Sequence, residues 1–109
     1  MKQLSWLVVF LLAVTVINYP NPFNPKGGEV TTIECTTDAS QETNLYLYDL
    51  SARQVWRSSF SLVGGTTTRL NWNGYSNANE LVGTGVYLYQ IVNQAKHRVA
   101  KGKIWVVNK

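Results

Sequence analysis

The chain has 109 residues, 45% apolar and 15% charged, which leaves room for one small domain and gives it the composition to fold. One cysteine, Cys35, and one histidine, His97, exclude a disulfide scaffold, a zinc finger and a haem-attachment protein by counting. The formal charge of +4 is uneven: Lys96, Arg98, Lys101, Lys103 and Lys109 all follow Glu80, the last acid.

Met1-Lys2 gives a positive start, and Leu4 to Ile17 is then almost wholly apolar. That run falls short of the roughly 20 residues a helix needs to span a bilayer. Residues 1–15 therefore read as a signal peptide, with cleavage after Ala13-Val14-Thr15 and before Val16. Residues 16–29 read as a proline-rich, extended lead-in, in which Val16 to Tyr19 could add a strand. Tyr19-Pro20-Asn21-Pro22-Phe23-Asn24-Pro25 holds all three prolines. Each removes a backbone donor and pushes its predecessor toward extended backbone, so helix and central strand are both excluded there. Phe23 is the apolar anchor of the segment. A proline-recognition ligand is the weaker reading of the same residues.

Residues 30–109 show no amphipathic helix. Short alternating runs recur instead, separated by Gly, Asn and Asp. Val30 to Thr37 sets Ile33 and Cys35 on one face and Thr32, Glu34 and Thr36 on the other. Asn44 to Leu50, with Leu45-Tyr46-Leu47-Tyr48, is apolar on both faces and reads as an interior strand. Gln54 to Val63 sets Trp56, Phe60 and Leu62 against Arg57, Ser59 and Ser61. Thr66 to Trp72 follows the turn signal Gly64-Gly65 and points Leu70 and Trp72 inward. Thr84 to Asn93 is the strongest strand, and Arg98 to Val107 pairs with it as a hairpin across Asn93 to Lys96. Six strands, with Val16 to Tyr19 as a seventh, predict an all-β fold: an immunoglobulin-like antiparallel β-sandwich after a short apolar leader. A barrel is the alternative.

Little in the chain can do chemistry. His97 lies between Lys96 and Arg98 in the hairpin, where a solvated imidazole is the default, and the candidate acids Asp38 and Asp49 stand alone. No nucleophile motif precedes a helix, so the reading is non-enzymatic. Cys35 on an apolar strand face reads as a small buried residue. Asn71 to Glu80 offers amides, one hydroxyl and one carboxylate, which is turn chemistry rather than a calcium loop. The basic residues near the C-terminus are interrupted by Val99, Ala100, Gly102 and Ile104, so they read as one solvated strand face and not as a nucleic-acid patch. No cofactor and no small-molecule substrate is implied.

Three blocks in order carry a family resemblance. Asn18-Tyr19-Pro20-Asn21-Pro22-Phe23-Asn24-Pro25 resembles the "NYPNPFNP" opening of the type A C-terminal sorting domains of the type IX secretion system. Asn44 to Val55 resembles their strand-turn-strand block around Tyr-Asp, with Ser51-Ala52 standing where a glycine is usual. Leu70 to Gly74 followed by Gly83 to Tyr89 resembles their "W-[DN]-G…G-[VI]-Y-x-Y" block. The middle and closing blocks also resemble the immunoglobulin-like domain of the flagellar hook-capping protein.

The resemblance implies an exported domain that passes the periplasm and ends at the cell surface or outside, meeting a membrane only during export. Its partners would be secretion-machinery proteins of the outer membrane. Lys101, Lys103 and Lys109, with Val106 and Val107 as apolar neighbours, become the expected recognition residues. Pro20, Pro22, Phe23, Pro25, Tyr48, Asp49, Trp72, Gly74, Gly85 and Tyr87 become the fold-determining ones. The alternative of a different class is a stand-alone structural or adhesive module of a cell-envelope or flagellar hook assembly.

Overall fold

The computed structural model describes residues 14–109. The first thirteen residues, and with them most of the expected signal peptide, lie outside the described residues. Within the described residues the strands are β1 (Val14–Tyr19), β2 (Thr31–Thr37), β3 (Gln41–Tyr48), β4 (Gln54–Leu62), β5 (Thr67–Trp72), β6 (Gly85–Asn93) and β7 (Arg98–Val106). No helix among them is long and apolar enough to cross a membrane.

The strands form two antiparallel sheets, one ordered β1-β2-β5 and the other β4-β3-β6-β7, packed as a sandwich. Alternation decides which side chains meet between them. Ile33 and Cys35 of β2, Leu45 and Leu47 of β3, Ile91 of β6 and Ile104 of β7 are buried, while their neighbours face outward. The interior position expected for the Leu45–Tyr48 strand is observed, because β3 lies between β4 and β6. That strand begins earlier than its apolar residues suggest. Gln41 pairs with Leu62, and the buried Thr43 donates its hydroxyl to the Phe60 carbonyl at 2.9 Å, which continues the ladder through polar residues.

The segment expected as an extended lead-in over residues 16–29 divides into two parts. Val16 to Tyr19 belongs to β1, paired in register with β2 from Val14↔Thr37 to Tyr19↔Thr32. The alternation of half-buried Val14, Val16 and Asn18 with exposed Ile17 and Tyr19 suits an edge strand with one face inward. Asn18 Nδ2 donates to Thr31 Oγ1 at 2.8 Å and to the Thr32 carbonyl at 2.9 Å, fixing the end of the strand. Beyond Tyr19 the chain bends away, with the Tyr19–Pro20 and Asn21–Pro22 bonds cis, and closes in one 3-10 turn at Pro25–Gly27. Pro25 starts that turn, where a missing N–H costs nothing.

Trp72 stands at the centre of the core and is 1% exposed. Its ring lies 5.6 Å from that of Phe23, 5.9 Å from Trp56 and 6.0 Å from Tyr87, and its Nε1 donates to the Tyr75 carbonyl at 2.9 Å. The loop after it is shaped by Gly74, which has φ 85° and lies directly under Pro25, so a Cβ there would run into the proline ring. Two substitutions test the backbone. Gly74→Ala adds a left-handed penalty to a steric one and should cost about 2 kcal/mol or more in urea denaturation. Ala52→Gly should act oppositely. Ala52 has φ 65° in the β3–β4 turn and is exposed, so a glycine there should gain about 0.5–1 kcal/mol in the same measurement.

Candidate functional site

The closing hairpin is built by a turn that satisfies itself. The Asn93 N–H donates to the His97 carbonyl at 3.0 Å, the Asn93 carbonyl accepts the Lys96 N–H at 3.0 Å, and Asn93 Oδ1 accepts the His97 N–H at 3.0 Å, with Lys96 at φ 67°. His97 is exposed at this tip. Along β7, Lys101, Lys103 and Trp105 point out, while Ile104 and Val106 point into the core. Val106 is 1% exposed, so the expectation that it borders the lysines as a surface contact is corrected: the strand's alternation gives it to the core. Trp105, at 52% exposure, is the apolar side chain that does sit outside. Val107 is half-buried, and Lys109 is exposed.

The opening motif grips this strand from the side. The Phe23 N–H donates to the Trp105 carbonyl at 3.0 Å, and the Val107 N–H donates to the Phe23 carbonyl at 3.0 Å, which makes a short parallel bridge. Asn21 extends it with its side chain, because Pro20 and Pro22 on either side have no N–H to give. Its Nδ2 donates to the Lys103 carbonyl at 2.9 Å and its Oδ1 accepts from the Trp105 N–H at 2.8 Å. Asn24 Oδ1 accepts the Lys109 N–H at 3.1 Å and the Gly27 N–H at 3.1 Å. From the other side, Asn108 Oδ1 accepts the Lys26 N–H at 3.3 Å and its Nδ2 donates to the Val82 carbonyl at 2.8 Å. The candidate site is therefore a composite: the basic outer side of β7 and a proline-asparagine clamp on its edge.

Pro25 is buried beside Phe23 and Gly74, whereas Pro20 and Pro22 are exposed. Tyr87 donates its hydroxyl to the Gly83 carbonyl at 2.7 Å. Gly85 opens β6 opposite Val106. Tyr48 is half-buried on the outer face, its hydroxyl 3.4 Å from Gln90 Nε2. Asp49 ties the β3–β4 turn, accepting the Arg53 and Ser51 N–H groups at 3.0 and 2.9 Å and pairing with the Arg53 guanidinium at 3.1 Å. Those bonds, the Arg53 backbone one foremost, hold its carboxyl below the usual range. Burial, with the Glu34 charge beside it, pushes the Cys35 thiol up to about 11, which keeps it protonated and inert. The Asn71–Glu80 loop spends its polar groups internally: Ser76 Oγ accepts the Ala78 N–H, and Asn77 brackets Arg57 of β4 with both ends of its amide. No cluster of His, Cys, Asp and Glu able to hold a metal occurs among the described residues.

Sequence reasoning missed Asn21, Asn24 and Asn108 as edge residues. The one available signal was that Asn21 stands between two residues unable to donate.

Comparison with known proteins places these features in a family. The profile described as "Secretion system C-terminal sorting domain" matches residues 18–106, from the opening motif to the end of β7. The fold is similar to part of dimeric latent PorU from Porphyromonas gingivalis, with TM-score 0.73 and 22% identity over 88% of this chain and 9% of that one. It is also similar to part of PorZ, described as an essential surface component of the type-IX secretion system of the same organism. There the TM-score is 0.59, with 22% identity over 85% of this chain and 11% of that one. The chain thus spans about a tenth of the length of either protein. A search of curated protein sequences returns no match.

The clamp can be tested by itself. Asn21→Ala removes two hydrogen bonds from a partly exposed edge and should lower stability by about 1–2 kcal/mol. Amide exchange at Trp105 should quicken with it, while exchange at Tyr89, deep in the same sheet, should follow only the global loss.

Proposed function

Because the chain belongs to the secretion system C-terminal sorting domain family, we propose that it is a non-enzymatic, immunoglobulin-like sorting signal that directs an attached protein across the outer membrane through the type IX secretion system. The observation that carries this reading is the composite built by the opening motif and the closing strand. The two ends of the family match, far apart in sequence, are one surface in the fold. A signal that must be read only when folded is well made this way, since unfolding at either end dismantles it.

Other observations support the finer parts. The order β1-β2-β5 against β4-β3-β6-β7 suits the immunoglobulin-like description, with strands that pass from sheet to sheet. An absence of catalysis agrees with an exposed His97 and with Asp49 already committed to a turn. Export through the periplasm to the surface or medium, and contact with outer-membrane secretion proteins, follow from the family's role. The outward Lys101 and Lys103 and the exposed Lys109 are the groups such a partner would meet.

The test is delivery in a host that has the type IX machinery. A reporter between a proven signal peptide and residues 14–109 should reach the surface or medium. The same fusion ending before Arg98 should stay in the periplasm. Ile17→Lys, an exposed change on the opposite sheet, should leave delivery intact. Periplasmic retention of the intact, folded fusion would overturn the sorting reading.

A further inference from the structure

The clamp on β7 stops halfway. In the antiparallel pairing of β6 with β7, successive residues of β7 turn their backbone groups alternately toward β6 and away from it. Lys103 and Trp105 bond outward to Asn21 and Phe23, so Lys101, two residues earlier, also turns its N–H and C=O outward. Pairing by the opening motif ends at the Lys103 carbonyl. Among the described residues the N–H and C=O of Lys101 and the N–H of Lys103 meet no backbone partner. Around Lys101 and Lys103, where β1 of the other sheet passes nearby without pairing, β7 thus keeps an unpaired edge with donors and acceptors at strand spacing.

The face beside that edge is mainly cationic; its acid is Glu42 of β3, which accepts the Ser61 hydroxyl two cross-strand rows away from the Tyr46 row. Across the outer side of the four-stranded sheet one cross-strand row runs Arg57, Tyr46, Gln90, Lys101, and the next runs Gln54, Tyr48, Leu88, Lys103. Arg98, paired with Val92, adds a further cation. Between them is a shallow depression of about 480 Å³ lined by Tyr48, Leu88, Gln90, Arg98, Lys101 and Lys103. The two ion pairs among the described residues are Arg53–Asp49 and Arg69–Glu34, and neither involves these cations. Residues 1–13 contain no Asp or Glu that could supply a partner. The three-stranded sheet is different: on its outer face Glu34 holds Arg69 at 2.9 Å and accepts the Tyr19 hydroxyl at 2.7 Å, so its charges are balanced.

We propose that this unpaired part of the β7 edge is a docking site for an extended segment of a partner protein that carries carboxylates at alternate positions. The segment would add as a strand to Lys101 and Lys103. Because residues two apart on a strand share a face, acids at positions i and i+2 would stand directly opposite the two ammonium groups. The backbone spacing selects a polypeptide over other polyanions, and the unbalanced lysines select acids. This deepens the sorting reading by naming the partner's chemistry, and rests on that reading only for where the partner is found.

The full chain is titrated with a short synthetic peptide alternating Glu and Thr, with an isomer whose Glu residues are grouped at one end, and with dextran sulfate. The alternating peptide should bind roughly tenfold more tightly than its isomer and should slow amide exchange at Lys101 and Lys103. The double substitution Lys101→Glu and Lys103→Glu, at exposed positions and with folding checked by circular dichroism, should abolish that preference. A peptide alternating Lys and Thr should then bind the substituted chain. Equal binding of both isomers, binding without amide protection, displacement of the peptide by dextran sulfate at equal charge, or no binding would each overturn the proposal. Because this binding is measured without secretion, a failure here and a failure of delivery are distinguishable.

Discussion

Phe23 occupies two structures at once, and the rest of the molecule depends on that. Its ring is buried to 2% exposure against Trp72, while its backbone N–H and C=O lie in the ladder of β7. Burying such a ring contributes roughly 1.5–3 kcal/mol, more than either hydrogen bond does alone. The ring therefore holds the backbone in place, and the backbone then closes the strand edge. Trp72 links this to the middle of the chain, since the loop that follows it curls under Pro25 through Gly74 and bonds back from Val82 to Gly74 at 3.0 Å. Three segments distant in sequence converge on a single indole. The C-terminal strand can be firm at its end because the first strand's exit passes beside it.

That arrangement also shows how the fold manages its edges. An unpaired edge strand invites unwanted pairing, and proteins blunt it with proline, charge or a covering segment. Here the covering segment is made of residues that cannot continue a ladder. Pro20 and Pro22 halt it, while Asn21 supplies from its side chain the donor and acceptor that a strand would supply from its backbone. The edge of β4 is handled by the same device, with Asn77 accepting the Arg57 N–H and donating to the Arg57 carbonyl. An asparagine amide has the right groups for such mimicry, which explains why this chain uses that residue where a turn would need only conformational tolerance.

The division between what the sequence made legible and what it did not follows the same physics. Strands were legible wherever one face is buried, since Ile33, Leu45, Leu47, Ile91 and Ile104 each mark a strand by period-two alternation. Every strand end lies within three residues of its expected place. The clamp was not legible, because Asn21 and Asn24 act at Lys103, Trp105 and Lys109, and no local pattern reports a contact across that separation. Val106 was misread for a related reason: at the end of a strand, register decides between core and surface, and the doublet Val106-Val107 leaves the register open. At Ala52 the expected difficulty of a turn without glycine was resolved by backbone strain, with the Asp49 carboxylate holding the loop by two N–H bonds.

The two outer faces bear on how a folded signal differs from a linear one. A linear motif presents its residues in any context, whereas the cations of β7 share a face with Arg57 only because β4, β3, β6 and β7 lie side by side in that order. Arg57 itself, though exposed, rests 5.6 Å from the centre of the Tyr46 ring on that face. Closing the edge beyond Lys103 then confines any added strand to the part where Lys101 and Lys103 stand. In the proposed docking the clamp and the charges act together: one closes part of the edge, and the other marks the part left unpaired. Both disappear if the sandwich opens, so a machine that reads them reads foldedness and identity in a single contact.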